Sequence, residues 1–278
     1  MRSYRSFGEA WATELGRVRA LGEASAPRGL ATRELRWDQF RVEDPMTFPM
    51  EVLGREFVDV IGILEALSLV GQFSIPELMT DRIRKFGEFT DAGVFHGAYG
   101  ARVHGRLGDL AALLDRDPDT RQAVLTIYDS RSDLGAAKHD VPCTLSLHFM
   151  LTRQDALEMR VTMRSNDVWL GTPYDFVQFA ILQASVAQAL GAEVGPYVHS
   201  AGSLHLYDHD LQKAEAVGAF RSPAERMAWP LWAVDADESA SETMGFISRR
   251  ARQVALGAVL PETEFEGWCR DLLAEGLR

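Results

Sequence analysis

Residues 142–167, PCTLSLHFMLTRQDALEMRVTMRSND, alternate apolar and polar side chains from Thr144 to Leu151 and again from Leu157 to Met163. A period of two is a strand signal, and the polar turn Thr152 to Asp155 makes the pair a hairpin. Downstream, Phe176 to Leu190 is a long, mostly apolar helix that stops at Gly191, and Tyr197 to Tyr207 reads as a final strand. Upstream, Ala123 to Tyr128 is a further strand, and Leu107 to Leu114 a short helix closed by Asp117-Pro118-Asp119. Val58 to Val70 is helical and almost wholly apolar apart from Asp59 and Glu65. Ser3 to Leu21 carries Phe7, Trp11, Leu15 and Val18 at helical spacing, until Gly22 and Pro27-Arg28-Gly29 break it. Beyond Ser222 the pattern is helical and acidic. No Pro/Gly/Ser linker is long enough to separate two folding units, so residues 1–278 are expected to form one α+β domain with a predominantly β middle.

Composition narrows the function. Lys and Arg total 29 against 40 Asp and Glu, a net charge of -11, which argues against binding a nucleic acid polymer. A single nucleotide remains open, because a local arginine cluster can hold one phosphate whatever the global charge. No apolar run approaches a membrane span, and the start MRSYRSFGEAWATEL lacks a signal peptide's apolar core, so a soluble, cytoplasmic protein is expected. Two cysteines, Cys143 and Cys269, give neither a disulfide framework nor a cysteine-rich zinc site. The histidines lack metal-ligand spacing and no nucleophile elbow occurs, which excludes zinc and serine hydrolases.

Four short stretches carry unusual chemistry: Val141-Pro142-Cys143, Arg164-Ser165-Asn166-Asp167, Gly171-Thr172-Pro173-Tyr174-Asp175 and His205-Leu206-Tyr207. Cys143 enters a strand with Lys138 and His139 before it and Arg164 at the end of the next strand. Nearby cations lower a thiol pKa, as a cysteine nucleophile requires, whereas an isolated cysteine is more often a buried structural one. Cys269, between Trp268 and Arg270, reads as unreactive.

In order and spacing these motifs resemble the thymidylate synthase family, which includes the pyrimidine nucleotide hydroxymethylases. The resemblance is densest over residues 119–210 and thin before them, and residues 222–278 form a divergent helical part. It implies a central mixed β-sheet flanked by helices, and a homodimer. It also implies 5,10-methylenetetrahydrofolate as one-carbon donor and a pyrimidine nucleoside monophosphate as acceptor. Cys143 would add to C6 of the base, and the methylene left on C5 takes hydride, giving a methyl, or water, giving a hydroxymethyl. Pro27-Arg28-Gly29 looks like the family's phosphate loop and Ala98-Tyr99-Gly100 like its Tyr-Gly segment. Glu65 falls at the catalytic glutamate, although a surface carboxylate is the plainer reading. Arg28, Arg164, Ser165 and Asn166 would bind the nucleotide, with His205 and Tyr207 on the sugar. Asp167 would donate its backbone amide to the base or hold its loop. Arg121, either a solvated surface arginine or one of a pair that crosses the dimer interface, has Thr120 in place of its partner. Gly171 and Tyr174 would line the folate.

Asp175 carries the finest distinction. Thymidylate synthases have asparagine there, complementary to uracil, and in the resemblance aspartate marks the cytidylate hydroxymethylases, acting on dCMP or CMP. Cytosine offers an amino donor and a ring acceptor, which a carboxylic group can satisfy. A cap on a helix starting at Phe176 is the other reading. The sequence departs from the family at Phe86 and Phe89, which replace two tryptophans flanking the folate, and at Thr144, which replaces a histidine. The family's apolar C-terminal end has no counterpart in Ala274–Arg278. Methyl transfer to dCMP, CMP or dUMP, or a non-catalytic nucleotide-binding relative, are the alternatives.

Overall fold

The computed structural model describes residues 1–47, 55, 59–74, 95–138, 140–217, 227, 229–234 and 238–275. Phe86, Phe89 and His139 lie outside them. Among the described residues eight strands form one mixed sheet: β1 (Arg2–Tyr4), β2 (Glu23–Ser25), β3 (Thr32–Val42), β4 (Val124–Thr126), β5 (Thr144–Leu151), β6 (Ala156–Met163), β7 (Asn166–Asp167) and β8 (Glu193–Tyr207). The order is β1-β3-β8-β6-β5-β4, with β2 on β3 and β7 on β8. The longer helices are α1 (Phe7–Leu21), α2 (Asp59–Val70), α3 (Leu107–Arg116), α4 (Gly171–Leu190), α5 (Ala240–Ala255) and α6 (Glu264–Glu275).

The β5–β6 hairpin forms as its alternation demands: Leu157, Met159, Val161 and Met163 are buried, while Glu158, Arg160 and Thr162 point the other way. Asp155, at φ 55°, turns the corner. β8 is long because it pairs on both sides, antiparallel to β3 and parallel to β6 and then β7. The all-round apolar helix α4 is buried along nearly its whole length and ends on Gly191 in the left-handed region at φ 64°.

Three expectations need correction. The first helix does not begin at Ser3: Arg2–Tyr4 pair with β3, and α1 starts after Ser6, whose side chain caps Glu9 N–H. The hydropathy pattern signals no element over Thr32–Val42, which is the strand β3. Its run of Arg33, Glu34, Arg36, Asp38 and Arg41 hides the alternation, and pairing skips Trp37, at φ 55°. Helix α4 begins at Gly171 rather than Phe176. The C-terminal part is integral to the helical layer. Helix α5 packs on α2, α3 and α4, and Arg250 fixes α6 through Glu266 at 2.7 and 2.8 Å. No helix among the described residues is long and apolar enough to cross a membrane.

Candidate active site

Cys143 immediately precedes β5, half-buried, and its carbonyl accepts from Arg164 N–H at 2.8 Å across the β5–β6 end. The Arg164 guanidinium returns to the same loop, donating to Pro142 O at 3.0 Å and Val141 O at 2.8 Å. Arg164 thus clamps the segment that presents the thiol, while its exposed side chain adds positive charge nearby. Arg28 adds a second cation. It sits exposed on a turn with Gly29 in which both residues have positive φ, 55° and 78°, a conformation that bulky residues adopt only under constraint. Burial nevertheless pushes the Cys143 thiol up. Arg164 and Arg28 pull it down, and Asp175 and Asp140 oppose them. The two cations act on the thiol as expected, but desolvation of the charged form outweighs their attraction.

Behind the thiol lies a buried carboxylate pair. Asp175 Oδ2 accepts from Asn166 Nδ2 at 2.7 Å, and Oδ1 from Gln178 Nε2 at 3.0 Å. Gln178 also reaches Glu65 Oε2 at 3.4 Å. Asp175 is no helix cap: it lies within the first turns of α4, whose N-cap is Leu170, and both oxygens meet side chains. Burial raises Asp175 to about 7, against the pull of Asn166 and Gln178. Burial first, then the charges of Asp175 and Asp140, raises Glu65 to about 8.

Both carboxyls bind protons more tightly folded than unfolded, so stability falls as pH rises from the ordinary carboxylate range to about 8. Glu65→Gln is expected to remove much of that slope, a difference on the order of a few kcal/mol between pH 5 and pH 8. Urea unfolding at the two pH values reads it; parallel slopes for variant and wild type would refute it.

Asn166 is 3% exposed and spends its amide on protein groups: Oδ1 accepts from Thr172 Oγ1 at 2.6 Å and faces His199 Nε2 at 3.0 Å. It stands behind Asp175, not at the surface. Gly171 packs closely here: a Cβ would lie 3.2 Å from Asn166 Nδ2 and 3.5 Å from Asp175 Oδ2. Asp167 holds its loop, its Oδ1 accepting from Trp169 N at 2.8 Å and Leu170 N at 3.2 Å. Its register partner His205 is buried, with its ring 5.1 Å from Tyr207, and Tyr207 pairs with Thr32 just beyond the Arg28 turn. His205 and Tyr207 do share a face. Ser165 is half-buried, and Arg121 is exposed ahead of the edge strand β4.

Four neighbours carry little or no functional signal in the sequence. Gln178 stands three residues from Asp175 on one helical face, a spacing that could have found it. Tyr99, noted only in its Tyr-Gly segment, meets Thr144 Oγ1 at 3.0 Å beside Cys143. The adjoining Gly100 allows this contact, since a Cβ there would be 2.1 Å from Ser68 O. Asp140 accepts from Gly97 N at 2.9 Å. Arg55, which gave no sequence signal, lies 4.2 Å over the Trp169 ring and bonds to Tyr174, and burial lowers its pKa.

A cysteine within reach of the charges of two arginines and of a buried, amide-bound carboxyl can act as a covalent nucleophile toward a small anionic molecule. The thymidylate synthase family model matches residues 56–231, more than half of the chain, and the chain belongs to that family. Similar proteins include deoxyuridylate hydroxymethyltransferases of Bacillus phage SP01 (32% identical over 68% of this chain and 54% of the relative) and Pseudomonas phage M6 (30%, over 67% and 59%). A third, from Delftia phage PhiW-14, is 28% identical over 69% of this chain and 58% of its own. The chain spans little more than half the length of these relatives.

Proposed function

We propose that this protein transfers a one-carbon unit from 5,10-methylenetetrahydrofolate to C5 of a pyrimidine nucleoside monophosphate, with a cytidine nucleotide preferred and a hydroxymethyl product. The observation that carries it is Cys143, under the charges of Arg164 and Arg28, close to the buried Asp175 and its Asn166–Gln178–Glu65 cluster. Arg28 and Arg164 take the phosphate with Ser165, His205 and Tyr207 meet the sugar, and Asp175 faces the base edge. Cys143 adds to C6, which makes C5 nucleophilic. The relatives' names favour a second reading, a uridine nucleotide, and Asp175 is the feature that separates the two.

Half-buried Tyr174 and the Arg55 guanidinium it bonds to suit a folate by their chemistry, an aromatic ring for the flat ring system and a cation for the anionic tail. Tyr174 and Arg55 would hold it. When bound it supplies carbon at the oxidation level of formaldehyde. Glu65, buried and protonated at neutral pH, can donate a proton or accept a water's hydrogen through its carbonyl oxygen. Mass spectrometry of products from methylenetetrahydrofolate with CMP, dCMP, UMP and dUMP tests this; no adduct or product with any of the four refutes it.

A homodimer is part of the reading. On the sheet face that bears Arg160, Met150 is exposed and His148 Nε2 is shielded without a partner among the described residues. That pattern suits a second copy packed on the face, which would meet Arg121 at its edge. Mixing Arg121→Ala and Cys143→Ser chains is expected to restore about a quarter of wild-type activity, since half the dimers are mixed and each has one complete site. A monomer in sedimentation, or no recovery, would refute it.

A further inference from the structure

Asn166 bonds the carboxyl of Asp175, but nothing in Asn166 itself decides which way its amide points. With N–H toward Asp175, the carboxylate is held as an acceptor. With the amide turned over, Asn166 Oδ1 would face Asp175 Oδ2, and the carboxyl would have to carry its proton toward Asn166. Thr172 cannot choose between them: its hydroxyl lies 2.6 Å from Asn166 Oδ1 but also 3.1 Å from Asp167 O, so its proton has another acceptor and its oxygen could take an N–H.

The remaining neighbour is His199, fully buried on β8. Its Nδ1 lies 2.9 Å from Tyr197 Oη and its Nε2 3.0 Å from Asn166 Oδ1. The ring is fixed by stacking on Phe40 at 5.0 Å and by the edge contact with Phe176 at 5.6 Å. Burial lowers His199 to about 3, so it is neutral and carries one ring hydrogen.

We propose that His199 is a positioning residue for base selection. Tyr197 donates to Nδ1, the hydrogen therefore sits on Nε2, and its bond to Asn166 Oδ1 forces the amide hydrogens toward Asp175. Held this way, Asp175 presents acceptors, which suit cytosine's amino group and protonated N3, and which set one oxygen against O4 of uracil. The chain Tyr197–His199–Asn166–Asp175 links a wholly internal tautomer to the reading of the base. This rests on the cytidine preference proposed above.

The test is the ratio of UMP to CMP dissociation constants, measured by titration calorimetry on the intact protein at pH 7. His199→Phe keeps a flat ring in the aromatic box but cannot donate, and is expected to lower the ratio roughly tenfold, as loss of one buried donor implies. His199→Gln, which can place an amide N–H near Asn166 Oδ1, should recover part of it. Tyr197→Phe frees the tautomer and should lower the ratio about threefold, deciding the matter if His199→Phe does not fold. An unchanged ratio in the folded variants overturns the inference, as does a fall that His199→Gln leaves unrelieved, which would mean packing alone. A wild-type ratio near one overturns instead the cytidine preference.

Discussion

Cys143→Ser is expected to lower turnover at least about a thousandfold, because a serine hydroxyl stays protonated and is a poor nucleophile toward a pyrimidine C6. The structure sharpens this expectation. The resting thiol is pushed up by burial, so its proton must leave as the substrate arrives, and only sulfur has a pKa close enough for two arginines to shift. Cys269 is the control. It is fully buried in α6 with its thiol held well above the usual range, and Cys269→Ala should cost about 1 kcal/mol of stability while leaving turnover unchanged. Steady-state assays with intact-protein mass spectrometry of trapped adducts read both variants. Full activity in Cys143→Ser would end the covalent mechanism.

Asp175→Asn should move preference toward the uridine nucleotide by about tenfold to a hundredfold, since reversing a donor and acceptor pattern leaves roughly 1 to 3 kcal/mol per unsatisfied group with the wrong base. A capping role no longer competes, because the residue lies inside α4 and accepts from Asn166 and Gln178. The substitution introduces a donor toward one of two existing donors, and Gln178, also near Glu65, must turn its amide to accommodate it. Comparing kcat/KM for CMP and UMP in wild type and variant decides it. A ratio that does not move would leave the relatives' substrate, a uridine nucleotide, as the better assignment.

Much of the site is legible in the sequence because its pieces are short and local. Pro142-Cys143, Arg164 to Asp167 and Gly171 to Asp175 each lie within one turn or strand end, where residue type and spacing already fix neighbours. The β5–β6 hairpin is readable for the same reason: the period of two runs through β6 and most of β5, interrupted only by a bulge between Thr144 and Ser146. β3 is not, since charged residues on its open positions blur the period and only the pairing with β8 makes it a strand.

What the tertiary structure alone decided is the environment of those residues. The chain names Cys143, Asp175 and Glu65, but their protonation depends on how much solvent the packed helices α2 and α4 exclude, and that sum runs over residues distant in sequence. Asn166 likewise looks like a surface loop residue until β7 pairs with β8 and brings His199, 33 positions away, against its amide. Local chemistry is written in order along the chain. Desolvation and the direction of a buried hydrogen bond arise only when segments far apart are pressed together, which is why the sequence determined the candidate nucleophile and the fold decided its state.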